Sequence, residues 1–293
     1  MNNSTPSKIY YNNVVLTQVR DKDNNLLFGA KLNGFEIFPT LYEEIIIRKH
    51  AVIAKKYSTI THSYEIYIYN VLKMHIIENT FAKVAFLSNS LFCGEIIPYK
   101  NNCKFPLLLN DELNDKNIKA VFSLKENDDI PIILINTLEQ ISKNVFYIEK
   151  SDFTKFLYKL KNDKLTQIIE RSTNDYKILN EYNLIAAYEF NFTNKTYLID
   201  FEGNIVDSLP YNSLEAFGNN YLLASFFDEE GSPIFNIINI KGNVIYNNGI
   251  YDYSFLDKEH TKISALTADD KFIHIEAKNN QLSVEYVNEK NVE

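Results

Sequence analysis

The chain has 293 residues, of which 45% are hydrophobic and 23% charged, a composition typical of a globular protein with a large core. Its formal net charge of −8 argues against a nucleic-acid-binding groove, because phosphate contacts require clustered lysine and arginine. No stretch approaches the about 18 apolar residues of a membrane span, and the amino-terminal segment lacks the apolar core of a secretory signal. We therefore expect a cytoplasmic protein that contacts neither membrane nor nucleic acid.

The aromatic residues favour β-structure. Twenty tyrosines and twenty phenylalanines, with no tryptophan, are typical of half-buried pleated surfaces rather than helices. Glycine and proline number only 8 and 7, which is few for an all-β protein. We expect asparagine and aspartate to form the turns instead, because both tolerate a left-handed backbone.

The first 42 residues predict a short arm and then strands joined by tight turns. Residues 1–9 are expected to be disordered. The predicted elements that follow are strand Val14–Arg20, turn 21–25, strand Leu26–Leu32, the hairpin signal Asn33–Gly34, and a strand from Phe35 that stops at Pro39.

The middle of the chain is less regular. Predicted strands there are 64–69, 84–87, 91–93, 120–124, 130–135 and 145–150. Two stretches, 41–49 and 151–160, could be helical, the second with Ser151 as its amino-terminal cap. Both are rich in β-branched or aromatic residues, so we predict strands in both.

A unit of about 40 residues recurs in the carboxyl-terminal half. Each copy is an apolar run, a polar turn built on glycine or asparagine, and a second apolar run. The copies are 156–165, 196–205, 235–244 and 273–282. Their anchors Leu165, Ile205, Val244 and Leu282 are separated by 40, 39 and 38 residues. Equal spacing of one supersecondary unit is typical of a repeat architecture.

A unit of this length holds four short strands, which is one blade of a propeller. We predict an all-β propeller with seven blades, or six, in one domain over residues 10–288, followed by a tail at 289–293. Ring closure would leave few sheet edges exposed. An open array of hairpins or a large twisted sandwich is the alternative.

Several turns resemble one known family. The motif comprises the aromatic-glycine pair Phe28–Gly29, the turn Asn33–Gly34, Pro39, and Tyr42 followed by Glu43. Parts of it recur at 202–211 and 217–252. In this the chain resembles the WG-repeat family of bacterial proteins, although no tryptophan occupies the namesake position. The resemblance implies β-hairpin repeats with a binding role and transfers no catalytic residue.

The residues that most often carry chemistry form no recognisable site. No pair among His50, His62, His75, His260 and His274 has zinc-like spacing. We interpret Cys93 as a buried small hydrophobe, Cys103 as exposed, and His274 as a residue at a sheet rim. Nucleotide-binding and hydrolase motifs are missing. The sequence therefore predicts no catalytic residue, metal or cofactor.

Acidic residues cluster at Asp128–Asp129, 228–230, 257–259 and Asp269–Asp270. Separated carboxylates serve as acid and base or nucleophile in glycosidases. Clusters between two strand runs are more simply solvated turns, because turns favour aspartate. A sugar site would also normally use tryptophan platforms for stacking, which the chain lacks, although tyrosine could take their place. A glycan-binding or glycoside-hydrolysing propeller is therefore the alternative function.

Exposed tyrosine beside acids is the composition of a protein-binding patch. The candidate partner-binding residues are Asp228, Glu229, Glu230, Tyr246, Tyr251, Asp252 and Tyr253. Packing between neighbouring repeats is the other interpretation of these tyrosines. We predict a non-enzymatic protein-binding scaffold, in its specific version an immunity or antitoxin-like inhibitor. An acidic face would speed its association with a basic protein partner.

Overall fold

A computed structural model of the chain describes residues 9–10, 13–60, 62–97, 118–126, 128, 131–189 and 195–287. The regular structure in these ranges is antiparallel strand, apart from 3₁₀ backbone at Asn13 and at Asn180–Tyr182. No helix in the described ranges is long and apolar enough to cross a membrane. Cys103, Asp129 and the predicted tail at 289–293 lie outside the described residues, as does most of the predicted arm.

The chain divides into two compact units. The first comprises Met1–Thr137, Lys150–Asp152 and Asn162–Lys164. The second comprises Leu138–Glu149, Phe153–Lys161 and Leu165–Glu293.

The first unit contains three successive four-stranded antiparallel meanders, in which each strand pairs with the next along the chain. Its strands are β1 (Ile9–Tyr10), β2 (Val14–Arg20), β3 (Leu26–Leu32), β4 (Phe35–Tyr42), β5 (Glu44–Ile47), β6 (Ala51–Ser58), β7 (Ser63–Asn70), β8 (His75–Ile76), β9 (Phe81–Phe86), β10 (Leu91–Ile96), β11 (Ile118–Ser123) and the start of β12 (Ile133–Gln140). Phe81, Phe92 and Phe122 form its aromatic core, with ring centroids 5.2–5.5 Å apart.

The second unit contains four such meanders. Its strands are the end of β12, β13 (Val145–Lys150), β14 (Lys155–Lys161), β15 (Lys164–Gln167), β16 (Thr173–Leu179), β17 (Leu184–Glu189), β18 (Thr196–Asp200), β19 (Ile205–Leu209), β20 (Ser213–Phe217), β21 (Tyr221–Phe227), β22 (Pro233–Asn239), β23 (Val244–Phe255), β24 (Lys262–Thr267), β25 (Phe272–Lys278) and β26 (Gln281–Tyr286). Strands β12 and β23 each serve two meanders, because one half pairs with the preceding strand and the other half with the following strand.

The predicted all-β class and four-stranded repeat are confirmed. Three meanders in one unit and four in the other equal the strand content of seven propeller blades. The four predicted anchors open the fourth strand of their meanders, at the start of β15, β19, β23 and β26. The repeat period found in the sequence is therefore the period of the meanders.

Asparagine and aspartate form the tight turns, as predicted. Asn33 and Gly34 have φ of 51° and 87°, so both central residues of this hairpin turn are left-handed. The pairs Asn162–Asp163 and Asn279–Asn280 adopt the same conformation without glycine. Their short polar side chains make this conformation accessible.

Some predicted boundaries were wrong. Strand β4 continues through Pro39 to Tyr42. Strand β4 is the outer strand of its sheet. Proline has no N–H to donate, and at an edge no neighbouring strand needs that hydrogen bond. The strand predicted at 130–135 begins only at Ile133. The strand interpretation of both helix-like stretches is confirmed by β5 and β14, although Ser151 lies in a turn that precedes β14.

Candidate partner-binding surface

The register of the seven-stranded sheet β20–β26 brings distant turns together. Ile250 in β23 pairs with Phe235 on one side and with Thr267 on the other. Phe235 lies just after the turn at 228–232, and Thr267 opens the turn at 267–271. Both turns therefore lie at the same end of the sheet, and β23 bends between them at 247–249, where its register with β22 shifts and Gly249 has a φ of 61°.

Asp228 shapes the first of these turns. Its N–H donates to the carbonyl of Ser232 at 3.0 Å, and its Oδ1 accepts the N–H groups of Glu230 and Ser232 at 2.9 and 2.8 Å. Gly231 closes the turn with a φ of 84°. Asp228 is thus a structural residue, whereas Glu229 and Glu230 remain exposed.

This end of the sheet is strongly acidic. The two turns carry five carboxylates and one lysine, namely Asp228, Glu229, Glu230, Asp269, Asp270 and Lys271. The resulting charge of −4 is half of the formal net charge of the chain, −8. We call residues 227–233, 246–251, 267–272 and 286 the acidic end.

Large aromatic side chains are exposed at the acidic end. Phe227 and Phe272, which flank the two turns, are 54% and 56% exposed. Tyr286 is 61% exposed and lies at the same level, because it pairs with Ile273 and the next residue donates to the Phe272 carbonyl. Tyr251, next to Ile250, is 41% exposed. Aromatic residues are enriched at protein interfaces, so the acidic end has suitable chemistry for binding a protein.

The opposite end of the same sheet differs in charge. The register and the bond from the Gly218 N–H to the His260 carbonyl, 2.8 Å, place the turns 218–220, 240–243, 256–261 and 279–280 there. These turns and their edges carry Lys241, Lys258 and Lys278 together with Asp257 and Glu259. The acidic charge is therefore concentrated at one end.

The other predicted candidates in β23 differ in exposure. Tyr246 is half-buried and packs against the apolar cluster that includes Ile237 and Ile250. Burial raises the pKa of its hydroxyl. Asp252 is exposed, and its Oδ1 accepts the N–H of Tyr253 at 2.9 Å.

Tyr253 belongs to a different structure. Its hydroxyl donates to Glu215 Oε2 at 2.6 Å, and Lys177 Nζ donates to the other oxygen of Glu215 at 2.7 Å. These three residues lie on the first strands of three consecutive meanders and are 38 residues apart in each step. Tyr253 also packs edge-to-face on Phe235, with centroids 4.9 Å apart. These contacts of Tyr253 support the second interpretation of the tyrosines, packing between neighbouring repeats.

We call Lys177, Glu215 and Tyr253 the ladder of first strands. The contacts of Glu215 determine its protonation. Burial raises the pKa of Glu215, but the hydrogen bonds from Lys177 and Tyr253 outweigh it and leave the pKa lowered. One meander earlier, burial and a hydrogen bond to Glu139 raise the pKa of Tyr176. Glu139 and Glu215 both hold internal partners, which argues against using them as the acid and base of a glycosidase.

A serine–histidine–aspartate contact in the first unit was not predicted. His50 Nδ1 lies 2.7 Å from Ser90 Oγ, and Ser90 Oγ donates to Asp163 Oδ2 at 3.3 Å. In a catalytic triad the histidine lies between serine and carboxylate, whereas here the serine is in the middle and fully buried. Lys125 Nζ also donates to Asp163 at 2.8 Å. The cluster therefore joins hairpin turns and presents no accessible nucleophile.

The prediction of a solvated turn was wrong for Asp128. Its side chain is buried, accepts Asn70 Nδ2 at 2.6 Å and pairs with Lys73 Nζ at 3.0 Å. A buried carboxylate needs such partners, and Asn70 comes from a strand 58 residues away in sequence. Asp257 and Asp269, by contrast, hold their own turns, which agrees with the turn interpretation.

The remaining chemical candidates occupy structural positions. Cys93 is half-buried rather than buried, and burial raises the pKa of its thiol, which disfavours the reactive thiolate. His274 lies on the half-exposed face of β25, opposite Ile273 and Ile275. In the described ranges no three histidine, cysteine or acidic side chains converge as metal ligands.

No family model matches the chain, and no curated protein matches it. Among solved structures it is similar to the WD40 domain of Toxoplasma gondii coronin, at 9% identity, with 81% of this chain and 68% of that chain covered and a TM-score of 0.33. A eukaryotic initiation factor matches at 10% identity, with 98% and 78% covered and a TM-score of 0.37. A β-propeller domain from Myceliophteria thermophila matches at 8% identity, with 83% and 85% covered and a TM-score of 0.30. TM-scores this low do not establish a shared fold, so the fold assignment depends on the strand order of the chain itself.

Proposed function

We propose that this protein is a non-enzymatic repeat scaffold that binds a basic protein partner through the acidic end, in the manner of an immunity or antitoxin-like inhibitor. The observation that carries the proposal is the meeting of five carboxylates and exposed aromatic side chains at one end of a single sheet. The resemblance of several turns to WG-repeat proteins supports a binding role.

The physical argument combines two contributions. Exposed aromatic side chains supply large contact areas that become buried in a complex. A local excess of negative charge attracts a basic partner and raises the association rate. The turn backbone is fixed by Asp228, so the carboxylates of Glu229 and Glu230 are presented without a folding step.

Affinity purification from cells of the source organism tests the proposal with three baits. The first is the wild-type protein, the second Glu229→Lys, and the third Glu259→Lys. Both substituted residues are exposed glutamates in turns of the same sheet, at opposite ends, and both changes alter the net charge equally. We expect a stoichiometric partner that is lost with Glu229→Lys and retained with Glu259→Lys.

The captured partner is then purified and its dissociation constant measured by calorimetry. We expect Glu229→Lys to weaken binding by about tenfold or more, because a like charge then faces the basic partner. Equal retention by both variant baits would contradict a role for the acidic end. Recovery of no protein partner, together with saturable binding on a glycan array, would favour the glycan-binding class instead.

A further inference from the structure

Lys271 at the acidic end is held by an acid and an aromatic ring. Its ammonium makes an ion pair with Asp269, and both side chains are 55% exposed. The same nitrogen lies 5.9 Å from the centre of the Tyr286 ring. Asp269 is fixed in turn by the hydroxyl of Thr267, which donates to its Oδ1 at 2.6 Å. The side chain of Lys271 therefore occupies a place built for a cation.

Tyr246 joins this group from the other side of the bend. The bend contacts the turn directly, because the Ala268 N–H donates to the Gly249 carbonyl at 2.9 Å. Lys271 and Tyr286 are both close enough to Tyr246 to influence the pKa of its hydroxyl. The Asp269 carboxylate and the Tyr286 ring thus hold the Lys271 ammonium group, and Tyr246 lies on the neighbouring segment whose bend bonds the same turn.

We propose that Asp269 and Tyr286 form a cradle for an arginine side chain of the protein partner, and that Lys271 occupies the cradle in the free protein. This inference rests on the proposed function. A guanidinium group stacks on aromatic rings and pairs with a carboxylate through two parallel hydrogen bonds, whereas an ammonium group makes a point contact. An exposed lysine pair contributes little, so an incoming arginine can displace it.

The chemistry of the site makes a specific demand on the complex. We expect Lys271 to leave Asp269 in the complex, because its ammonium group occupies Oδ2, the carboxylate oxygen that Thr267 leaves free. Removing the lysine side chain should therefore strengthen binding, although most truncations at an interface weaken it. Tyr286→Ala changes no charge, so cancellation of this gain by Tyr286→Ala separates the cradle from a surface that merely attracts positive charge.

Isothermal titration calorimetry of the protein with a hexa-arginine peptide at low salt tests the cradle. The variants are Lys271→Gln and, as a matched control, Lys278→Gln at the opposite end of the sheet, which removes the same charge. We expect Lys271→Gln to bind the peptide about three- to tenfold more tightly than Lys278→Gln does. Adding Tyr286→Ala or Asp269→Asn to Lys271→Gln should remove this gain.

Equal affinities of Lys271→Gln and Lys278→Gln would overturn the cradle. The proposed function has a separate readout, since the natural partner can still be lost with Glu229→Lys when the cradle has failed. Circular dichroism melting of each variant shows that it is folded. Peptide binding that is equally tight with hexa-lysine would also overturn the preference for arginine.

Discussion

At the scale of single residues, glycine and aromatic side chains fix the core of the first unit. A β-carbon added to Gly94 would lie 2.5 Å from the Phe81 ring and 3.4 Å from Phe122. We expect Gly94→Ala to lower the free energy of unfolding by about 1–3 kcal/mol, because the three packed rings cannot all retreat. Urea unfolding followed by circular dichroism measures the loss.

Gly231→Ala is the comparison for this substitution, since no atom lies within 4 Å of the added carbon. Its cost comes from the left-handed backbone alone and should be about 1–2 kcal/mol. Phe81→Leu in the Gly94→Ala background should recover part of the loss by making room. An unchanged free energy of unfolding for Gly94→Ala would show that the rings are not closely packed.

Glu215 gives a second prediction at this scale, one that depends on pH. We expect Glu215→Gln to lower the free energy of unfolding at pH 7 by about 1 kcal/mol, because Lys177 and Tyr253 lose a charged acceptor that is partly exposed to solvent. The pKa of Glu215 is lowered in the fold. Its contribution is therefore full above the ordinary glutamate pKa and is lost as pH falls through the lowered value.

Urea midpoints measured from about pH 7 to about pH 3 follow this loss. Wild type and Glu215→Gln should differ at neutral pH and converge in acid. The substitution Glu202→Gln controls for general charge effects. Glu202 is an exposed glutamate in the same unit, and it accepts a hydrogen bond from Asn144. A constant difference at every pH would mean that the charge of Glu215 is unimportant.

At the scale of the element, one turn recurs. In the turns that start at Asp21, Asp200, Asp228 and Asn239, the first residue donates its N–H to the fifth residue's carbonyl, and its side chain accepts backbone N–H groups. A side-chain acceptor in the first position thus shapes one hairpin of the first unit and three of the second. The left-handed fourth residue is a glycine in three of these turns, whereas Asn24 takes that place in the turn from Asp21.

Asn239→Ala tests the turn. Its Oδ1 accepts the N–H groups of Lys241 and Asn243 at 3.0 and 2.9 Å, and we expect their loss to cost about 1–2 kcal/mol in the free energy of unfolding. Thermal and urea unfolding measure this change. Lys241→Ala in the same turn should change stability by less than about 0.5 kcal/mol, because the side chain is exposed. A similar loss from both substitutions would contradict the assigned role of Asn239.

Elements of this kind could be predicted from the sequence, because their signals are local. Strands β2 and β3 match their predicted bounds, and the turns at 21–25 and 33–34 lie where their residues indicate. The burial of Asp128 could not be predicted, because its partner Asn70 is 58 residues away. The link from Lys177 through Glu215 to Tyr253 has a sequence signal, since its 38-residue steps match the repeat period.

At the scale of the whole molecule, the repeat forms the sheets and also determines at which end of a sheet each charged turn lies. Each meander contributes turns to the two ends of its sheet, so residues far apart in the sequence become neighbours at an end. The candidate residues were predicted as one patch because they are near in sequence. The register divides them, leaving 228–230 and Tyr246 at the acidic end and placing Tyr253 in the ladder of first strands.

The uneven charge predicts how a partner associates. We expect the association rate constant for the captured partner to fall by about tenfold or more between about 20 mM and 500 mM salt, because exposed charges are screened beyond a few ångströms at high ionic strength. The dissociation rate should change less, since the aromatic contacts are not ionic. Surface plasmon resonance or stopped-flow mixing over a salt series measures both rates.

Two single substitutions locate the source of this salt dependence. Glu229→Lys should make the plot of association rate against salt clearly shallower, because it removes negative charge where the partner approaches. Glu259→Lys changes the net charge of the chain equally but lies at the other end of the sheet, so it should leave the slope close to that of the wild type. Equal slopes for the two variants would mean that the partner responds to the total charge of the molecule, and the acidic end would then have no special part in recognition.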